Sequence, residues 1–472
     1  MSVSEKPEFL VSGERARLFP VLADTSKEGR TLSILLACFE TVDSFGKSLL
    51  ADLGIKVGLR TQIQTYTEVV LKKGGEKTLR PDGLIILKSG SSTWTALVEA
   101  KVGNSDLNVE QLESYLEIAK LNGIDMLITI SNQFAPLPTH HPVQLSTPSL
   151  KKAAVAHWSW MYLLTQATLQ LGNNEIADRE QRVILNEMVR FLSHPSAGVK
   201  GFDQMPASWT DLVGAVQAGG SIAVKSDVAQ EVVGAWYQET RDLSLILGRQ
   251  LGEDVSVRVS RAHSRDPALR MKSDLQTLAT EHCLRSEFDV PNTAATIEVC
   301  ADLRKRSLFA SMRVAAPTDR KSTKARLTWL LKQLDKSKPE SIYIRLFWPG
   351  RGPFTQHSLV TLREKPELAE EAGKVASSFE VVFARDLGSR FAQRKNFIAD
   401  IEKTIPDFYE QVGQHLKAWQ PQAPKLKEDR LESSDVNTEA LRANAEEAVA
   451  ERDTPITPQR DEDKTNTYQS EA

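Results

Sequence analysis

The chain has 472 residues, with 59 Lys and Arg against 62 Asp and Glu, a formal net charge of −3 at pH 7, and 41% hydrophobic residues. That length suits two or three domains, and the near-neutral balance does not mark the whole chain as a nucleic-acid binder. No run reaches the ~20 apolar residues of a membrane span, residues 1–10 lack the apolar core of a signal peptide, and Cys38, Cys283 and Cys300 are too scattered for a disulfide scaffold or a zinc ribbon, so no membrane association and a cytoplasmic location are expected.

Residues 1–30 read as an irregular leader. Residues 32–53 predict an amphipathic helix, because Leu35, Leu36, Phe39, Val42, Phe45, Leu49 and Leu50 recur near helical spacing, and Gly54 ends it. Residues 62–71 read as a strand, followed by the turn Lys72-Lys73-Gly74-Gly75. Two apolar strands come next, one beginning at Asp82 and one running into Glu99, with a Ser-Gly-Ser-Ser turn at 89–92 between them. Residues 108–122 predict a helix and residues 125–131 a buried strand. Pro136, Pro138 and Pro142 then break the pattern, and residues 157–171 and 178–192 read as two further helices. The order helix, strand, strand, strand, helix, strand suits an α/β domain with a mixed sheet over 31–195.

Residues 201–420 predict a second, α+β domain of unknown type, suited to substrate or partner recognition. Its helix candidates are 230–252, 327–334 and 397–419, the last interrupted near Pro406. Its strand candidates are 255–259, 295–302, 308–314, 341–347 and 379–385. Charge is uneven along the chain: 21 basic and 21 acidic residues over 1–200, 31 and 28 over 201–420, and 7 and 13 over 421–472. The last segment reads as an acidic, disordered tail, with a transient helix over 435–452 and a capacity to bind a protein partner. Within 303–351, 13 basic residues face only Asp319, Asp335 and Glu340, and Trp329, Tyr343, Phe347 and Trp348 are interleaved. Such a stretch can contact phosphates and stack on bases; a solvated helix with strand edges is the competing reading.

The chemistry concentrates in Arg80-Pro81-Asp82-Gly83 and Glu99-Ala100-Lys101. Glu99 and Lys101 project from one face of a strand. An acid and a base beside an apolar run carry a desolvation cost, which a metal and a nucleophile in the site would explain. Asp82 supplies a second carboxylate. Taken singly, Asp82 before Gly83 also fits a turn, and Glu99 with Lys101 also fits a solvated edge pair. His140 and His141 sit among prolines without a partner at ligand spacing and read as a surface loop. His157 reads as an interfacial histidine in a packed helix. Ser131 and Ser159 lack a Ser–His–acid context.

Pro81-Asp82, sixteen residues, then Glu99-Ala100-Lys101 resembles the PD-(D/E)XK nuclease superfamily. A Gln-x-x-x-Tyr pair in the following helix, Gln111 and Tyr115, is similar to that of RecB-like members. The resemblance covers roughly residues 30–135. It implies a restriction-endonuclease-like mixed sheet flanked by helices, and a nuclease that hydrolyses DNA phosphodiester bonds with Mg²⁺ or Mn²⁺, in restriction-like defence or DNA repair. It implies Asp82, Glu99 and the main-chain carbonyl of Ala100 as metal ligands, with Lys101 orienting water and stabilising charge on phosphorus. Gln111 would support the site, and Tyr115 would pack there or touch nucleic acid. A further acid is expected from the first helix: Glu40 first, then Asp43, with Glu68 on the next strand a third choice. Lys72 and Lys73 would add phosphate contacts. DNA is the implied partner, and a homodimer is compatible with the resemblance. The alternatives are a catalytically silent nucleic-acid-binding or regulatory protein on the same fold, and an interaction scaffold in which the motif is coincidental.

Overall fold

Near-continuous apolar runs in the N-terminal half, such as Leu84–Leu87 and Met126–Ile130, build a six-stranded mixed sheet whose central strands are buried on both faces. The computed structural model describes residues 8–19, 26–73, 79–135 and 140–421, together with isolated helical positions 439, 442 and 443. The architecture is mixed α/β with two sheets. Residues up to 421 form one compact unit, divided from residues 422–472.

In chain order the first sheet takes β1 (Leu10–Arg15), helices α1 (Lys27–Thr41) and α2 (Asp43–Asp52), β2 (Gln62–Leu71), β3 (Gly83–Ser89) and β4 (Ser92–Ala100). Helix α3 (Val109–Asn122), β5 (Met126–Ser131), the short α4 (Thr147–Leu150), β6 (Ala154–Ser159), α5 (Trp160–Gly172) and α6 (Arg179–Leu192) complete it. The strands lie in sequence order; β1 to β4 pair antiparallel, and β4, β5 and β6 pair parallel. One face packs Ile85, Val98, Ile128 and Trp158 against the apolar sides of α1, α2, α5 and α6. The other packs Leu84, Ile86, Leu97 and Leu127 against Leu112, Tyr115 and Leu116 of α3. Gly83 permits close packing of α1, since a Cβ there would lie 2.8 Å from Leu36 Cδ1.

The second half begins with α7 (Ser208–Gln217) and the long α8 (Asp227–Leu251). There follow β7 (Ser256–Arg258), α9 (Arg261–Arg265), α10 (Pro267–Glu281), β8 (Cys283–Asp289), β9 (Ile297–Asp302), β10 (Ser307–Ala315) and α11 (Thr323–Gln333). Then come β11 (Ile342–Phe347), β12 (Thr355–Ser358), α12 (Leu359–Glu364), β13 (Ser378–Asp386) and α13 (Arg394–Phe408). These strands form a seven-stranded antiparallel sheet in the order β12-β11-β13-β10-β9-β8-β7. Its core face carries Phe288, Val299, Leu308, Met312, Ile344 and Val381, packed with α7, α8, α11 and α13. No described helix is long and apolar enough to cross a membrane.

Four expectations change. The leader is not wholly irregular: β1 joins the first sheet as its edge strand beside β2. The single helix expected over 32–53 is two, broken at Val42, whose φ and ψ of −103° and 89° are non-helical. The break seats Gly46 against α1, where a Cβ would sit 2.4 Å from the Phe39 carbonyl oxygen. His157 lies on strand β6 rather than in a helix, which begins only at Trp160. The closing helix expected over 397–419 with an interruption near Pro406 is α13 through Pro406 to Phe408, then a π-turn at Tyr409–Gly413, and it ends there and not at 419. The tail, apart from the three positions named, lies outside the described residues.

Candidate active site

Strand register explains why two distant acidic residues meet. The β3–β4 ladder ends with Gly83 opposite Val98, so the next pair outward is Asp82 opposite Glu99. Opposed residues of an antiparallel pair share a face, here the face covered by α3. With no β3 residue left to bond it, the Ala100 N–H donates to Asp82 Oδ2 at 2.9 Å. A strand residue's C=O leaves the same edge as its N–H, so the Ala100 carbonyl is directed toward Asp82. Beyond the strand, Lys101 is held by its backbone on both sides: its N–H donates to the Ile130 carbonyl at 2.8 Å, and its carbonyl accepts from Trp160 Nε1 at 2.8 Å.

Glu99 is buried, at 1% exposure. Its Oε1 accepts from Lys101 Nζ at 2.7 Å and from Gln111 Nε2 at 2.9 Å. Its Oε2 is buried with no hydrogen-bond partner among the described residues. Asn108 caps α3 by accepting from the Gln111 N–H, which fixes where Gln111 emerges. Gln111 Nε2 also donates to the Tyr115 hydroxyl at 2.9 Å, and that hydroxyl donates to the Arg80 carbonyl at 3.1 Å. Tyr115, at 2% exposure, is therefore a packed bracket for the Asp82 turn, not a surface contact.

Burial pushes the Asp82 carboxyl up to about 8, and the neighbouring Glu99 charge adds to this, while the Ala100 N–H and Lys101 pull it down. Burial also works against the Lys101 ammonium, but its hydrogen bond to Glu99 and the charges of Glu99, Asp82 and Glu28 outweigh it, so Lys101 stays charged with a raised pKa. One buried and one half-buried carboxyl facing one ammonium, with one oxygen orphaned, are under-compensated; an additional cation would balance them. Among the described residues no group of three or more His, Cys, Asp and Glu side chains stands ready to hold a metal. Asp82, Glu99 and the Ala100 carbonyl would supply only part of a coordination shell. Mg²⁺ tolerates this, because it keeps several waters and leaves room for phosphate oxygens.

The acid from the first helix is Glu28, not Glu40. Glu28 Oε2 lies 3.8 Å from Lys101 Nζ, in the first turn of α1. Glu40 is twelve residues farther along, about 18 Å of helix. It is held by Arg15 in an ion pair and by the Thr65 N–H at 3.2 Å. Asp43 pairs with Lys47 on the surface. Glu68 does border the site: with Glu28, Arg80 and Asp82 it lines a cleft of about 300 Å³. Glu28 lies before the helix expected over 32–53; Ser26, at the N-cap position of α1, is the sequence signal for the earlier start.

A second polar group lies beside the carboxylates. Parallel pairing sets Thr129 of β5 next to Glu99 and His157 of β6 next to Thr129. The Thr129 hydroxyl bonds His141 Nε2 at 2.9 Å and His157 Nδ1 at 2.8 Å, and His157 Nε2 meets the Gln133 carbonyl at 2.9 Å. His141 is thus half-buried against β5, where a surface loop was expected. Ser159 caps α5 through the Tyr162 N–H, and Ser131 accepts from the Gln133 N–H; both are structural. Lys73 is tied by its backbone to Asn122, and Lys72 and Lys73 are exposed. In the basic stretch, Trp348 is buried in the second core and Trp329 packs against it, so neither offers a free ring. Tyr343 and Phe347 lie on the opposite face of the sheet.

No family model, curated protein or solved structure matches the chain.

Proposed function

We propose that the chain is a divalent-metal-dependent nuclease on a restriction-endonuclease-like fold, with DNA phosphodiester bonds as its substrate. The observation that carries this reading is the convergence of Asp82, Glu99 and Lys101 at adjacent strand ends, with Gln111 bracing Glu99 from α3. Asp82, Glu99 and the Ala100 carbonyl would hold Mg²⁺ or Mn²⁺, which when bound polarises a phosphate oxygen and lowers the pKa of a bound water. Lys101, kept charged by its acidic neighbours, stabilises the negative charge that develops on phosphorus. Gln111 holds Glu99 Oε1 in place and leaves Oε2 for the cation. Tyr115, through the Arg80 carbonyl, fixes the turn that presents Asp82. Neither Lys101 nor the carboxylates need form a covalent intermediate.

The test is incubation of the pure protein with supercoiled plasmid and with short duplexes, in Mg²⁺ or Mn²⁺ and in chelator. Metal-dependent cleavage that is lost in Asp82→Ala, Glu99→Ala and Lys101→Ala is expected. Cleavage that survives in all three variants, or that proceeds in chelator, refutes the assignment. Wild-type protein inert in both metals but binding nucleic acid would leave a silent binding module on the same fold.

A further inference from the structure

We infer that the open face of the second sheet, over β10, β13, β11 and β12, is a docking surface for single-stranded DNA. The seven-stranded sheet buries one face in the second core. The opposite face carries Arg313 of β10, and Tyr343, Arg345 and Phe347 of β11, none of which is buried. Tyr343, Arg345 and Phe347 stand two residues apart on one strand, so they form a row with steps of about 6.6 Å.

The row continues into the β11–β12 connection. The Phe347 and Phe354 rings are 5.6 Å apart, and Phe354 is 45% exposed. The Arg313 guanidinium stacks 3.7 Å from the Phe347 ring centre, and the Arg345 guanidinium lies 5.0 Å from that of Phe354. The result is a stacked ribbon of guanidinium and phenyl groups, open to solvent along one side. Arg313 is positioned by two hydrogen bonds to Ser378 Oγ, at 3.1 and 3.0 Å. It forms no ion pair among the described residues, so its charge is available. Exposed Arg351 sits in the same connection.

Charge complementarity selects an anion. Arg313 and Arg345 lie on this face and Arg351 in its β11–β12 connection, whereas Lys324, Arg326 and Lys332 ride on α11 against the core face. Two carboxylates of β13 lie on this face: Glu380, already engaged by Arg345 at 3.2 Å and by the Ser311 hydroxyl at 2.8 Å, and exposed Asp386 at the far end of the strand. Toward β8 and β9 the face carries Glu287 and Glu298, which are paired with Arg258 and Arg285. The exposed Phe354 ring and the half-exposed Tyr343 and Phe347 rings, set among cations, suit unpaired bases, whose faces can stack, while the phosphates meet guanidinium groups. Bases in a duplex present no such faces. On the nuclease reading, which supplies the choice of nucleic acid as ligand, this face would hold a single-stranded part of the substrate away from the cleavage site.

The experiment is fluorescence anisotropy of a labelled 20-nucleotide single strand with the full chain in chelator, against the matching duplex and an RNA of the same sequence. The single-stranded DNA should bind more tightly than either. Phe354→Ala, at a half-exposed position that leaves the fold intact, should weaken binding about 5- to 100-fold, and Phe354→Trp should retain it. Arg313→Ala and Arg351→Ala should each flatten the slope of log affinity against log salt by about 0.7 per lost phosphate contact. Equal affinity of wild type and Phe354→Ala, preference for the duplex, or binding of RNA but not DNA overturns the proposal. The two readings fail separately. Binding in chelator does not depend on cleavage, so an inert protein with this binding profile would refute only the nuclease, and an active one without it would refute only the docking face.

Discussion

At the scale of single residues, the site is a place where burial opposes charge. Asp82 has its pKa raised from 3.8 to about 8. Between those values the folded chain holds a proton that the unfolded chain has released, so this residue makes stability fall as pH rises from about 4 to about 8. His157 acts on the acid side. Burial lowers it from 6.5 to about 3, so from pH 6.5 downward the unfolded chain takes up a proton that the folded chain refuses, and stability falls as pH drops. In chelator, Asp82→Asn should therefore melt higher than wild type at pH 8, with the gap closing toward pH 4. Mn²⁺ should raise the melting temperature of the wild type but not of the variant, since a ligand stabilises only the state that binds it. An Asn variant that melts lower than wild type at pH 8 would mean that the carboxylate's bond to the Ala100 N–H outweighs its desolvation.

At the scale of elements, the carboxylates depend on how strands end. β4 outlasts β3, so the Ala100 N–H is left for Asp82, and the Asp82 turn is gripped from β2, where Glu68 and Val69 donate their N–H groups to the Asp82 and Pro81 carbonyls at 3.1 and 3.2 Å. Glu68 reaches this position with φ of 53°, beside the register shifts of β1 against β2. Left-handed backbone in a non-glycine residue carries strain of order 1–3 kcal/mol, offset in a glycine by about 0.5–1 kcal/mol of extra chain entropy. Glu68→Gly should leave stability in urea unchanged or raise it by about 1 kcal/mol, whereas β-branched Glu68→Val should lower it by about 1–3 kcal/mol. Equal effects of the two substitutions would show that the side chain, and not the backbone conformation, matters here.

At the scale of the molecule, α8 ties the two sheets together. Its Leu245 is buried in the core of the first sheet while Val232, Val233 and Trp236 belong to the core of the second. Arg249 near its end donates to Thr165 of α5. Because residues up to 421 form one compact unit, a chain ending at Pro421 should retain the melting temperature of the full protein and unfold in one calorimetric transition. Two separated transitions would show that the sheets melt independently, and aggregation on truncation would show that residues beyond 421 are needed to cover the body.

Local pattern was enough to determine the strands over 62–71 and 82–101, the helix bearing Gln111, and the Asp82, Glu99, Lys101 set, because apolar runs, capping residues and motif spacing are properties of short windows. Asn108 before α3 and Gly123 after it, with φ of 68°, are signals of this kind. What no window contains is pairing between distant segments. β1 has the composition of a leader and becomes a strand only because β2 offers it an edge. His157 sits in an apolar run that fits helix or strand, and the free edge of β5 decides for strand. Trp348 and Phe347 are adjacent in sequence, yet one is buried and the other half-exposed, because the sheet has only one covered face. Glu28 in place of Glu40 follows from the same cause: a helix fixes which residues share a side, but only its packing against β3 and β4 settles which end of it meets Lys101.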